Sequence, residues 1–265
     1  MRYLAKPLSL VLLVIIMGCA TTGPGGKRSL ILIDSNTETS IGRNMDAEVR
    51  AQNRMYADSA WNDYVRQIGN RIVARCDRRD IDYHFAIIES DQINAFAAPG
   101  GFIYLYTGLL KTMENEAELA SVIAHEISHV VARHSIKRLQ VAMGVAMLQE
   151  LVLGKSPEAL NTAVNIGLSL SFAEYSRDNE READSYGVQY MTKAGYNPEA
   201  ALSMFEKLAS MSDGGPDFFE RIAMSHPETR ERISNTRALI TSMKPLPEQL
   251  ETYPTRYQTM KKRLP

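Results

Sequence analysis

Ala124-His125-Glu126-Ile127-Ser128-His129-Val130 is the stretch on which the reading of this chain turns, and it lies in a helical pattern that begins at Glu116 and Glu118. Four residues along an α-helix rotate through about 400°, so His125 and His129 project from one face, one turn apart. Two imidazoles at that separation bind a single Zn²⁺ while the helix holds them in place. Glu126, about 100° round from the pair, reaches a water at the metal without ligating the metal itself. There it can act as general base while the water attacks a peptide carbonyl. The plain alternative is a solvated face that happens to carry two histidines and a glutamate. Ile123, Ile127, Val130 and Val131 argue against it, because they make the helix largely apolar. Burying two histidines and a carboxylate without a task is costly.

A catalytic zinc takes three protein ligands and keeps one open position. The best third donor lies in Tyr175-Ser176-Arg177-Asp178-Asn179-Glu180-Arg181-Glu182-Ala183-Asp184, where Glu180 and Asp184 share a helix face at i, i+4. Glu180 can ligate while Asp184 accepts a hydrogen bond from a zinc-bound imidazole and fixes its tautomer. Alone, the segment also reads as a charged surface helix laced with i, i+4 pairs; the histidine pair upstream shifts the balance. Glu182 points elsewhere. On a helix running over 115–137, His134 stands half a turn away from His125 and reads as a satisfied structural or surface histidine. Arg177, Tyr175, His226 and backbone amides are all candidate donors to an oxyanion.

Around these motifs the pattern is α+β, with helices dominant. Helical spacing runs through 40–75 and again over about 115–137, 138–153, 157–172, 178–194, 198–210 and 227–242. Tyr83–Glu89 and Gly101–Tyr106 read as strands, with Asn94–Gly101 an extended piece entering a turn. The apolar run Val141–Leu153 is interrupted by Gln149-Glu150 and reads as bundle core rather than membrane span. Formal net charge is −1, which excludes a polyanion such as nucleic acid as the expected partner.

The N-terminal segment has a separate message. Arg2 and Lys6 precede the apolar run Leu8–Met17, too short to span a bilayer, and Gly18-Cys19 follows. Ile16-Met17-Gly18-Cys19 resembles the bacterial lipobox, which implies a signal peptide over 1–18 and a lipid on Cys19. With Ala20 next in the chain, the resemblance points to the outer membrane. The Gly/Pro-rich residues after Cys19 read as a flexible tether over 19–39. A catalytic domain over 40–244 follows, and then a Pro-rich basic tail over 245–265, expected on the surface. With Cys19 lipidated, Cys76 has no intramolecular partner, so the core must come from packing.

His-Glu-Ile-Ser-His, Glu-Arg-Glu-Ala-Asp and Asn94-Ala95-Phe96-Ala97-Ala98-Pro99-Gly100-Gly101, in that arrangement along residues 40–240, resemble the HtpX/CAAX-prenyl-protease-type zinc metallopeptidases, in particular their LoiP- and BepA-type bacterial envelope members. The resemblance implies a zincin-like domain with one Zn²⁺ per chain, His125, His129 and Glu180 as ligands, Glu126 as base and Asp184 behind them. It implies that Asn94, Ala95, Phe96 and Ala97 border the cleft as an edge to which an extended peptide adds as a strand, a sequence-independent way to hold a substrate. It also sets His226, in Ser225-His226-Pro227, as a possible fourth ligand or gate; the same residues serve as a helix start. The implied function is endoproteolysis of unfolded or misassembled envelope proteins by an enzyme lipid-anchored to the outer membrane and facing the periplasm. The competing class is a chaperone-like assembly factor for outer-membrane proteins with weak proteolysis.

Overall fold

In this computed structural model, the residues described are 24–26, 29–154, 156–212, 226 and 230–265. Asp34 and Asp58 open the first two helices. Their side chains accept the Thr37 and Trp61 amides at 2.7 and 2.9 Å, a kind of cap that contributes about 1 kcal/mol. Helix α1 (Ser35–Gln52) and helix α2 (Ser59–Val73) then flank a three-stranded mixed sheet. Its strands are β1 (His84–Ile88), β2 (Ala95–Ala98) and β3 (Phe102–Tyr106). β3 is central, parallel to β1 with Ile87 opposite Leu105, and antiparallel to β2 with Ala95 opposite Leu105. All five β3 residues are buried, because both faces of the sheet are covered. Ile103 and Leu105 enter one core with Trp61, Val65, Ile123 and Ile127. Phe102, Tyr104 and Tyr106 enter the other with Ile41, Met45, Ile136 and Leu139.

After the short helix α3 (Thr107–Thr112) comes α4 (Glu116–Val131), which carries the histidine pair. Asn115 caps it by accepting the Glu118 amide at 3.0 Å. The helix is enclosed by α2 and β2 on one side and by α7 (Arg177–Lys193) and α8 (Glu199–Ser212) on the other. Between them α5 (His134–Val152) and α6 (Pro157–Ser171) form a hairpin against the second core, and α9 (Arg230–Ser242) lies across α7 and α8. The fold is thus predominantly helical with a small mixed sheet.

Residues 31–39, expected within a flexible tether, instead bury Ile31 and Ile33 in the second core and start α1 at Ser35. Three further expectations change. The helix expected over 115–137 stops at Val131, and Arg133 takes the left-handed conformation (φ 54°) before α5 starts at His134. Arg133 and Arg78 both pair with the buried carboxylate of Glu38, at 2.7 and 2.9 Å, and Arg78 also donates to Val130 O. That network locks the break. Second, Val141–Leu153 is not simply bundle core: Met143, Leu148 and Leu151 are buried, whereas Val141 and Val145 are 84% and 85% exposed. No helix among the described residues is long and apolar enough to cross a membrane. Third, residues 245–265 are more than a surface tail. Helix α10 (Pro254–Lys261) buries Tyr257 edge-on to Trp61, its hydroxyl donates to Leu110 O at 2.7 Å, and Trp61 Nε1 donates to Met260 O. Cys76 is a free, buried thiol; Cys19 lies outside the described residues.

Candidate metal centre

His125, Glu126 and His129 sit midway along α4, all three nearly fully buried. Helix α7 faces them and approaches so closely that a Cβ on Gly187 would lie 3.1 Å from the His125 backbone nitrogen. Glycine at that position lets the two backbones nearly touch, and Glu180 and Asp184, on the same α7 face, thereby reach the imidazoles.

The donor atoms converge. His125 Nε2 and His129 Nε2 are 3.1 Å apart, and His226 Nδ1 lies 3.3 Å from His125 Nε2. Glu180 Oε1 lies 2.9 Å from His226 Nδ1 and 3.4 Å from His129 Nε2. One ligand atom from each of these four residues falls within 4.8 Å of the others. Ligands about 2.0–2.2 Å from a tetrahedral zinc must stand about 3.3–3.6 Å from one another, and most of these separations fall close to that edge length. Two more observations fit a cation. Glu126 Oε2 and His226 Nε2 are buried with no hydrogen-bond partner. The site also draws positive charge to itself. Burial opposes a charged His125, yet the carboxylates of Asp184 and Glu180 push its pKa up to about 10. Burial likewise disfavours a charged Glu180, and the imidazoles of His226, His125 and His129 override it, holding the carboxyl far below the usual range. His129 goes the other way, burial holding it well below the ordinary histidine value. A divalent cation meets that demand while leaving the nitrogens neutral as lone-pair donors.

Behind the donors stand groups that orient them. Asp184 Oδ1 is 3.0 Å from His125 Nδ1, near enough to pair although off the line of a straight hydrogen bond. Arg232, from α9, grips both Asp184 oxygens at 2.7 and 2.8 Å and reaches Glu180 Oε2 at 3.0 Å. Burial works against the ionised form of Asp184, but Arg232 and His125 keep its pKa low.

His134 departs from its expected place. Because α4 ends at the Arg133 turn, His134 swings back, fully buried, to set Nδ1 2.9 Å from His129 Nδ1. Its Nε2 meets Glu182 Oε2 at 3.0 Å. Glu182 thus points to this histidine. The chain fixes every proton: a His129 ligating through Nε2 donates from Nδ1 to His134, which donates from Nε2 to Glu182. Burial keeps His134 neutral against the pull of Glu182, as this arrangement requires. Helical periodicity does not reveal the pair, because the helix breaks at Arg133. The signal available was the unbranched, charged Arg133 next to a histidine, which is weak.

Sequence reasoning also missed Arg232, whose only sign was a position two residues into α9. Tyr175 packs tilted against His129, ring centroids 4.2 Å apart and planes at 33°, and its hydroxyl is 2.9 Å from Ser135 Oγ. Burial raises that phenol to about 12. The hydroxyl is therefore engaged away from the histidine cluster. Ala95–Ala98 form the edge strand β2 beside α4, and Asn94 at its start is 5% exposed with no proper hydrogen bond from Nδ2, the Tyr106 phenol nearby notwithstanding. Ser225 and Pro227 fall outside the described residues.

A histidine pair one turn apart on a buried helix, a carboxylate from a second helix and a glutamate beside them, under a small sheet with an edge strand at the cleft, define a zincin-type metallopeptidase domain. Residues 59–240 match the sequence profile of peptidase family M48, and the chain belongs to that family. It is 33% identical over 220 residues to the beta-barrel assembly-enhancing protease of Yersinia pestis, covering 79% of this chain and 45% of that protein. It is 32% identical over 173 residues to the mitochondrial metalloendopeptidase OMA1 of Schizosaccharomyces pombe, covering 64% and 50%. To the metalloprotease YcaL of Escherichia coli (strain K12) it is 29% identical over 165 residues, covering 61% and 63%. The chain spans about half the length of the first two of these relatives.

Proposed function

We propose that this chain is a zinc-dependent endopeptidase with one Zn²⁺, held by His125, His129 and Glu180, and Glu126 as general base. The single observation that carries this is the convergence of those donors beside a buried carboxylate oxygen that has no partner of its own. A bound Zn²⁺ polarises the scissile carbonyl and acidifies the attacking water. The protein's own share is positional. Helix α4 fixes two imidazoles; Asp184, with Arg232 behind it, and His134, with Glu182 behind it, hold their ring planes. Glu126 receives the proton and returns it to the leaving amine. A purely structural zinc needs no such base.

The substrates in this reading are unfolded or misassembled proteins of the bacterial envelope. A lipid on Cys19 ties the enzyme to the outer membrane on its periplasmic side. The kinship with a protease named for β-barrel assembly supports that setting. The test compares wild type with Glu126→Gln. The variant is expected to keep its zinc and lose casein cleavage by about 10²–10⁴-fold. If wild type protects a misfolded client but never cleaves it, the chaperone-like alternative replaces the enzyme.

A second reading rests on His226. Its Nδ1 stands among the candidate ligand atoms, 2.9 Å from Glu180 and 3.3 Å from His125, which supports a role as a fourth ligand. In that case the resting enzyme is latent and His226→Ala raises turnover; an unchanged or lower rate removes latency.

A further inference from the structure

The large apolar side chains left exposed among the described residues are gathered on one part of the fold. Val141 and Val145 lie on α5, Val152 and Leu153 at its end, and Leu30 and Leu32 just before α1. Phe172, the remaining one, ends α6 and packs on Phe96. The two groups of residues belong together. Gln140, next to Val141, accepts the Ile33 amide at 3.2 Å and donates to Leu30 O at 3.4 Å. Residues 30–33 are thereby seated along α5, with Ile31 and Ile33 in the second core and Leu30 and Leu32 turned outward. On α5 itself Met143, Leu148 and Leu151 face inward, and Gln149 and Glu150 are the only polar residues exposed from Val141 to Gly154. Single exposed apolar side chains are ordinary, whereas a group of them marks an interaction surface.

We infer that this face, α5 with Leu30 and Leu32 beside it, rests on the surface of a lipid bilayer. The inference rests on the lipid proposed at Cys19 and adds how the domain stands on its membrane. The path of the chain assigns the occupant. Gly25 N donates to Asp77 Oδ2 at 3.1 Å and the Tyr186 hydroxyl to Pro24 O at 3.2 Å, which pins the chain to the domain at that point. From Cys19 to Pro24 it spans at most about 18 Å, and from Gly26 to Leu30 at most about 14 Å. A domain of this size is about 45 Å across, so so short a tether turns one side of it to the membrane. Leu30 is the first large apolar residue the chain reaches after Pro24. Charge agrees: from Cys19 to Asp34 the sequence holds Lys27 and Arg28 and no acid before Asp34 itself, the sign that anionic headgroups attract. So does side-chain type. Specific protein interfaces depend on aromatic and arginine anchors, and 141–154 exposes neither, whereas acyl chains conform to small valines and alanines. No helix among the described residues is long and apolar enough to cross the bilayer, so the face lies on it. Because α5 starts at His134, against His129, one helix carries both the metal centre and the lipid-facing surface, with Val141 about 10 Å along it.

The test uses the full lipidated chain in vesicles of phosphatidylcholine and phosphatidylglycerol whose acyl chains carry bromine near their middle, a contact quencher of indole. Mass spectrometry reads the lipid on Cys19, and flotation reads attachment. The chain has one tryptophan, Trp61, fully buried, so an added surface tryptophan is read above a constant background. In Val145→Trp the added emission is expected to fall by about half or more relative to unbrominated vesicles, as for a side chain about 5–10 Å below the headgroups. Arg66→Trp, on α2 across the sheet, keeps its emission. Adding Val141→Glu and Leu153→Glu to Val145→Trp lowers the quenching several-fold while flotation and Tm hold. An acylated, floating protein in which Val145→Trp is quenched no more than Arg66→Trp, or in which the added glutamates change nothing, overturns the inference and leaves the anchor standing. Shielding of Val145→Trp from aqueous iodide without quenching by bromine also overturns it, and assigns the face to a second copy of the chain. A protein with no lipid on Cys19 that stays off the vesicles removes the anchor itself, and the docking falls with it.

Discussion

Two buried clusters of ionisable groups lie along the same helix, and they are built on opposite terms. At the C-terminal end of α4, Glu38 is surrounded by Arg78 and Arg133, with both carboxylate oxygens in contact with a guanidinium and the Gly100 amide donating to one of them at 3.2 Å. Charge is balanced from within the chain. Midway along α4, three histidines and Glu180 bring their donor atoms together, and Glu126 keeps one buried carboxylate oxygen without a hydrogen-bond partner. The first cluster holds the fold, and in particular the left-handed turn at Arg133. The second has spent its geometry on something the chain does not supply. Burial by itself does not distinguish them; the direction in which the lone pairs point does.

The contrast can be broken experimentally. The largest effect is expected at the self-balanced cluster: Glu38→Ala removes the carboxylate that two buried guanidinium groups share, leaving Arg78 with Asp80 and Arg133 with the Ile33 carbonyl, a loss of about 3–5 kcal/mol. Urea denaturation with and without chelator reads it, and the loss is the same in both. A smaller effect belongs to the metal. At zinc about 100 times its Kd, chelation removes about 2.7 kcal/mol. For a domain of this size that is a fall in Tm of roughly 5–11 °C. In Glu180→Gln the chelator-dependent fall shrinks or vanishes, while the Glu38 contribution is untouched. If chelation leaves the Tm of wild type unchanged, the two clusters are alike and the comparison collapses. The smallest effect sharpens the picture: His134→Phe keeps the bulk but removes the acceptor behind His129, and weakens zinc binding by about 10–100-fold in a competition assay with a chromophoric chelator. Glu182→Gln does so by less, because His134 remains.

These clusters also show what the sequence could disclose. His125, Glu126 and His129 were legible because the helix that carries them is regular and local, and a fixed rotation per residue places side chains without knowing the fold. Glu180 and Asp184 were legible as a pair for the same reason. Their meeting with the histidines is an expectation that rests on the need for a third zinc ligand and on the family resemblance; how close it comes depends on how α7 lies on α4, where Gly187 lets the backbones approach. What periodicity could not give was any contact that depends on where a helix breaks. His134 was placed on the wrong side because the pattern over 115–137 hides the turn at Arg133, a turn stabilised by Glu38 nearly a hundred residues earlier. The residues around Tyr257 failed for a related reason: prolines and a basic run suggest a solvated segment, yet the tyrosine finds a slot beside Trp61 that only the assembled fold creates.

The near-contact of backbones at Gly187 has a consequence for how the centre is assembled. With α4 and α7 this close at His125, one helix contact sets how far Glu180 and Asp184 stand from both histidines. Of the four converging residues, only His226 belongs to neither helix. Three of the four donor residues are thus positioned by one contact between two helices, and the fourth by a different part of the chain.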